Sequence, residues 1–162
     1  MVEMQVREVQ ANSGTYHRVV LQEKEGASCL QIMIGPSEAG AISAAHNGQK
    51  PVRPLSYDLA CALLNEIKAH IERVEITALR DGIYYAEIHL QGADGTITAI
   101  DSRPSDAIAL ALRTDAPIFA SEQVLQEGAE STLKESGSPE PVRSKPAPVS
   151  YTHLTLPTKR IV

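Results

Sequence analysis

Two short stretches of this chain share a grammar: Arg53-Pro54-Leu55-Ser56-Tyr57-Asp58 and Arg103-Pro104-Ser105-Asp106. In each, an arginine precedes a proline, then a serine, then an aspartate. Proline suits the first helical position, serine caps a helix start, and an acid complements its positive end. A guanidinium fork beside the unpaired N–H groups of a helix start can hold a phosphate or a carboxylate. Arg53, Arg103, Ser56 and Ser105 are therefore the candidate phosphate-binding residues. The aspartates do what arginine cannot, binding a divalent cation or taking a proton from water. Glu38 follows a third helix start at Gly35-Pro36-Ser37, and Asp101 stands at the strand end before Arg103. They complete a candidate catalytic set of Glu38, Asp58, Asp101 and Asp106. If these meet, with Asp58, Asp101 and Asp106 holding Mg²⁺ or another divalent cation, water can attack a phosphodiester. The same grammar is also an ordinary way to start helices, and Arg103 with Asp106 at i, i+3 is an ordinary ion-pair spacing. Convergence in space decides between the two readings.

Charge makes a bound cation relevant. The 162 residues carry 15 Lys and Arg against 20 Asp and Glu, for a net charge of −5. Up to residue 128 the imbalance is 10 against 17. The chain as a whole repels polyanions, so a nucleic-acid role must rest on a local positive cluster or on bound metal. Aromatics are scarce, with one Phe, five Tyr and no Trp, which argues against broad base-stacking platforms. His17, His46, His70 and His89 are scattered, and His46 and His70 fall near expected helix C-termini. Cys29 and Cys61 make neither a disulfide framework nor a zinc motif. No apolar run approaches the ~20 residues of a membrane span, and the N-terminus is not a secretory signal. A soluble, cytoplasmic protein with no membrane partner is the expectation.

The elements that must position these residues follow from periodicity. Three N-terminal strands are expected, the first ending at a turn at Asn12-Ser13-Gly14. In the third, Leu30, Ile32 and Ile34 share one face and Cys29, Gln31 and Met33 the other. One helix follows with Ser37 as its cap and Gly48 beyond its end. A second is capped by Ser56, with Leu59, Leu63, Ile67 and Ile71 at helical spacing. Asp81-Gly82 then marks a tight hairpin, and Asp94-Gly95 a further turn in a three-stranded meander. Tyr84 and Tyr85 must point to opposite faces of their strand. The run Ala107-Ile108-Ala109-Leu110-Ala111-Leu112 is apolar all round and half small, which reads as a central, closely packed helix. A short strand at Pro117-Ile118-Phe119-Ala120 and a last helix capped by Ser121 complete the order βββ-αα-βββ-α-β-α. That order predicts an α+β fold, a mixed or antiparallel sheet with helices packed on it.

Residues 1–128 form the expected domain. Residues 129–148, rich in Pro, Ser, Glu and Lys, are expected to be a disordered tail. Residues 149–162, VSYTHLTLPTKRIV, resemble the conceptual translation of a sequencing adapter and are expected to carry no function.

Three segments resemble the bifunctional nuclease (BFN) domain family: LQIMIGPSEAGAI at 30–42, RPLSYDL at 53–59 and DSRPSDAIALALR at 101–113, the last followed by APIF. The segment TALRDGIYYAEIHL at 77–90 fits as well, and the likeness spans roughly residues 2–128. The resemblance implies an α+β fold that pairs into a homodimer, and DNase and RNase activity on DNA and RNA substrates. It points to Glu38, Asp58, Asp101 and Asp106, with Arg53 and Arg103, as the site. The family often has His where this chain has Tyr57, and a phenol with a pKa near 10 is a poor base at neutral pH. Two functions thus compete: a metal-assisted nuclease, and a non-catalytic dimeric interaction or anion-binding module whose polar motifs only start helices.

Overall fold

A computed structural model of the chain describes residues 1–11 and 16–136. Three antiparallel strands open it: β1 (Val2–Ala11), β2 (His17–Glu23) and β3 (Cys29–Ile34). Two helices follow, α1 (Pro36–His46) and α2 (Ser56–Glu66). A second meander then runs through β4 (His70–Arg80), β5 (Ile83–Gln91) and β6 (Ile97–Ser102). The chain ends in α3 (Pro104–Thr114), β7 (Ile118–Ala120) and α4 (Glu122–Ser136). This is the α+β element order expected from the residues.

One seven-stranded sheet in the order β3-β2-β1-β7-β4-β5-β6 joins the two meanders. The joint is β7, three residues long, antiparallel to β1 and parallel to β4. Its Ile118 and Ala120 are buried, so both of its neighbours close over an apolar face. That parallel pairing makes the sheet mixed. Period-2 alternation assigns the faces. Leu30, Ile32 and Ile34 are buried while Met33 is exposed, as the alternation predicted. Val74, Ile76, Ala86 and Ile88 point to the helices, which places Glu75 and Glu87 on the opposite face. Tyr84 packs against the core, and Tyr85, on the other face, lies under Arg80 at 5.3 Å.

Helix α3 is the hub. Ala107, Ile108, Ala109 and Ala111 are buried, and the helix packs on α1, α2, β4 and β5. Alanine at alternate positions lets those neighbours approach closely. Helix α4 lies against β3 and β4, one strand from each meander. A Cβ on Gly128 there would come within 2.6 Å of Leu30 Cδ1, so the glycine permits the contact. Asp81 and Gly82 both adopt positive φ, 51° and 74°, as the expected tight hairpin requires.

Several expectations need correction. Ser37 and Ser56 are not caps, because α1 starts from Gly35 and α2 from Leu55, one residue or more earlier. Leu59, Leu63 and Ile67 do not form a buried stripe with Ile71. The helix ends at Glu66, Lys68 turns into the left-handed region (φ 56°), and Ile71 enters β4. Leu59, Leu63 and Ile67 are exposed, because α2 meets α3 through Tyr57 and Leu64 instead. His70 opens β4 rather than closing a helix. Helix α4 runs past residue 128, where the ordered domain was expected to end. Its Thr132 hydroxyl donates to the Gly128 carbonyl at 2.9 Å. The rest of the tail expected to 148, and the adapter-like residues 149–162, lie outside the described residues, as does the turn at Asn12-Ser13-Gly14. No described helix is long and apolar enough to cross a membrane.

Candidate functional site

The two Arg-Pro stretches fold differently despite their common grammar. Arg103 is itself the N-cap of α3, with Pro104 at the first helical position. The extra Leu55 in the other stretch becomes the N-cap of α2 and leaves Arg53 upstream of it. Counted from the caps, however, Glu38, Asp58 and Asp106 each occupy the third helical position, where a carboxylate faces unpaired N–H groups.

Arg103 brings two of these acids together. Its Nε and Nη2 donate to Asp106 Oδ2 and Oδ1 at 2.7 and 3.0 Å, a bidentate fork. Its Nη1 reaches Glu38 Oε1 at 3.3 Å, across from α1. Tyr57, from α2, donates its hydroxyl to Asp106 Oδ1 at 2.5 Å. The starts of α1, α2 and α3 therefore meet in one hydrogen-bonded group. The Arg103 side chain is still 65% exposed, and among the described residues two of its five N–H groups remain uncommitted. Beside it opens a cleft of about 480 Å³ lined by Ile32, Ile34, Glu38, Tyr84, Arg103 and Ser105. Ser105 is buried at the second position of α3 and makes no side-chain hydrogen bond among the described residues. A Cβ on Gly35 would stand 2.4 Å from Glu38 Oε2, so the glycine leaves that carboxylate room at its own helix start.

The electrostatics follow from these contacts. Burial alone would push the Asp106 carboxyl up, but the hydrogen bonds and charge of Arg103 and the Tyr57 bond outweigh it and hold it below its ordinary range. The Arg103 guanidinium is raised in turn, chiefly by Asp106. Burial first, then the bond to Asp106, pushes the Tyr57 phenol up to about 12. Tyr57 is thus a proton donor to Asp106 and not a base.

Asp58 belongs to an adjoining set. Its Oδ2 accepts the Leu55 N–H at 3.0 Å and its Oδ1 accepts Arg113 Nε at 3.1 Å. The backbone bond first, and Arg113 second, lower its pKa against the opposing effect of desolvation. Arg113 also donates to the carbonyls of Ala109 and Ala41 at 2.9 and 3.2 Å and stacks over the Tyr57 ring at 5.3 Å. One half-buried arginine therefore ties α1, α2 and α3 together. Sequence reasoning missed it; an arginine closing the last turn of an apolar helix was the available signal.

Asp101, Arg53 and Ser56 are not gathered in. Asp101 pairs with Glu87 across β5 and β6, on the face opposite the core-facing Ala86 and Ser102 pair. Arg53 and Ser56 are exposed and without side-chain partners among the described residues. The donor chemistry therefore does not suit a cation shared by Asp58, Asp101 and Asp106. Both oxygens of Asp58 and Asp106 are taken by arginines, an N–H and a phenol, and Asp101 lies on another surface.

A different acid and histidine group does converge. Glu75 and Glu87 are paired across β4 and β5, and His89 stands two residues along on the same face. One donor atom from each lies within 4.8 Å of the others. Alternation alone could have paired Glu87 with His89; the register was needed to add Glu75.

The fold is thus a mixed α+β domain in which three converging helix starts gather Arg103, Glu38, Asp106 and Tyr57 into one hydrogen-bonded group. The chain belongs to the bifunctional nuclease domain family, whose family model matches residues 19–132. It is 38% identical over 109 residues to an uncharacterized protein of Mycobacterium tuberculosis (strain H37Rv), covering 67% of this chain and 64% of that protein. It is 24% identical over 149 residues to bifunctional nuclease 1 of Oryza sativa subsp. japonica, covering 90% of this chain and 44% of the plant protein. Bifunctional nuclease 2 of Arabidopsis thaliana is 26% identical over 110 residues, 66% of this chain and 33% of that protein. The chain thus spans less than two thirds of the length of each of these relatives.

Proposed function

We propose that this protein hydrolyses phosphodiester bonds in nucleic acids, DNA and RNA, with the Arg103 centre as the phosphate-holding site. The observation that carries the reading is an exposed arginine with N–H groups in hand, fixed by Asp106 and Glu38 at the mouth of a cleft. Membership of the bifunctional nuclease domain family supports it. In this reading Arg103 clamps a non-bridging phosphate oxygen, and the α3 N-terminus with Ser105 adds neutral donors. Glu38 Oε2, free of any hydrogen bond among the described residues, orients the attacking water and accepts its proton. Asp106, kept ionised, holds the guanidinium in place. A divalent cation bound outside the three aspartates would add positive charge that the acidic chain lacks. The unpaired thiols of Cys29 and Cys61 agree with work in a reducing compartment such as the cytoplasm.

The test is hydrolysis of single- and double-stranded DNA and of RNA by the purified chain, with Mg²⁺ or with EDTA. Arg103→Ala and Glu38→Gln are expected to lower the rate by about 10²-fold or more, the scale of one lost charge-stabilising group. Undiminished activity in both variants would assign the hydrolysis to a contaminant. One observation favours the rival reading, a non-catalytic dimeric module: Leu55, Leu59, Leu63 and Ile67 stand exposed at four-residue spacing along α2. A second copy, antiparallel along that stripe, would cover it. A dimer mass in solution with no hydrolysis of any substrate would favour the module over the enzyme.

A further inference from the structure

We infer that the sheet face turned away from the helices carries a binding site for a divalent transition-metal cation, best suited to Zn²⁺, held by Glu75, Glu87 and His89. Three observations converge on it. First, His89 Nε2 is buried and, among the described residues, is the buried side-chain nitrogen or oxygen left without a hydrogen-bond partner. A buried polar atom without a hydrogen bond is costly, and neutral imidazole nitrogen is the commonest metal ligand in proteins.

Second, the spacing fits the ion. His89 Nε2 lies 3.3 Å from Glu75 Oε1 and 3.7 Å from Glu87 Oε2. Ligand atoms bound at about 2.0–2.2 Å around a tetrahedral Zn²⁺ stand about 3.3–3.6 Å apart, so Glu75 is already at that spacing and the more exposed Glu87 closes to it by a slight side-chain rotation. Mg²⁺ demands a tighter octahedron and all-oxygen donors, so a mixed N/O set of this size disfavours it.

Third, the surroundings are arranged as a metal's outer contacts are. Arg73 Nε donates to Glu75 Oε1 at 2.6 Å, which orients that carboxylate and leaves the second lone pair of Oε1 facing His89 Nε2 and the ion. The Arg73 charge opposes a cation, but Glu72 takes up its Nη1 at 2.9 Å. Asp101 adds a further carboxylate opposite Glu87 on the same face. The His89 and Glu75 side chains are 13% and 16% exposed, whereas Glu87 is 43% exposed. Entry from solvent is thus on the Glu87 side, where a water can fill the fourth position.

The site lies on the opposite face from the Arg103 centre, and the inference stands apart from the nuclease reading. Its test reads binding, so it does not depend on whether the protein cleaves anything. Metal-free full-length chain is titrated with Zn²⁺, Mn²⁺ and Mg²⁺ by calorimetry, and with Co²⁺ to read coordination from visible absorption. One Zn²⁺ per chain is expected, with Mg²⁺ much weaker and a Co²⁺ spectrum of tetrahedral intensity. The exposed Glu87→Gln, which leaves the sheet intact, and His89→Gln are each expected to weaken Zn²⁺ at least tenfold at unchanged circular dichroism. No Zn²⁺ binding, as a plain histidine–glutamate ion pair predicts, would overturn the proposal. So would binding that both variants leave unaltered, since the ion would then sit elsewhere.

Discussion

Replacing Tyr57 by Phe removes one oxygen and nothing else. The lost bond runs to a carboxylate that is ionised and only 29% exposed. Hydrogen bonds to charged groups are worth about 1.5–3 kcal/mol when they are removed from one side only. Two features place this one at the lower end. Asp106 keeps both bonds from Arg103, and the phenylalanine ring keeps the stack against Arg113 and the contact with α3. A loss of about 1–2 kcal/mol is expected. With a urea slope of about 2 kcal/mol per molar, the unfolding midpoint should fall by about 0.5–1 M at unchanged slope. Pairing the change with Asp106→Ala in a double-mutant cycle isolates the contact, and the coupling should be about 1 kcal/mol. Ultraviolet titration gives an independent reading: a phenol that ionises near 12 in the parent should vanish from the variant. A variant within about 0.3 kcal/mol of the parent, or a cycle with no coupling, would show that Tyr57 does not support Asp106 and would refute the linkage of the three helix starts.

Arg113→Met should destabilise by about 2–4 kcal/mol in urea. It strips Asp58 and two helix carbonyls of their donor while filling similar volume; a change below about 0.5 kcal/mol would remove the arginine from the architecture. Acid unfolding should report the lowered pKa values of Asp58 and Asp106. A depressed folded-state pKa stabilises above the unfolded value of about 4 and loses that contribution as pH falls through the folded value. Stability should therefore be level from neutral pH down to about 5 and drop below about 4, with a shallower drop in Asp106→Ala.

The helix starts show how local and distant information divide. Proline and acid residues within four or five positions mark where α1, α2 and α3 begin, since caps and first-turn charges act through the nearest backbone groups. The same local reading misjudged Ser37 and Ser56, because a cap depends on which residue's φ and ψ first leave the helix. It also treated the two Arg-Pro stretches as equivalents, although one inserted leucine moves Arg53 out of the cap. On α2 the apolar spacing was real but did not say which side would be covered, and packing on α3 chose Tyr57 and Leu64.

From the residues alone came the order of elements, the two faces of the third strand, the central helix, the Asp81-Gly82 hairpin and the family likeness. All of these rest on periods of two or 3.6 and on motifs a few residues long. Tertiary structure decided which charges meet. It set Arg103 of α3 beside Glu38 of α1, joined Asp106 to Tyr57 of α2, sent Asp101 to the far face with Glu87, and gathered Glu75, Glu87 and His89. Strand register and helix docking are set by the whole core at once, and charged side chains meet only where that packing carries them.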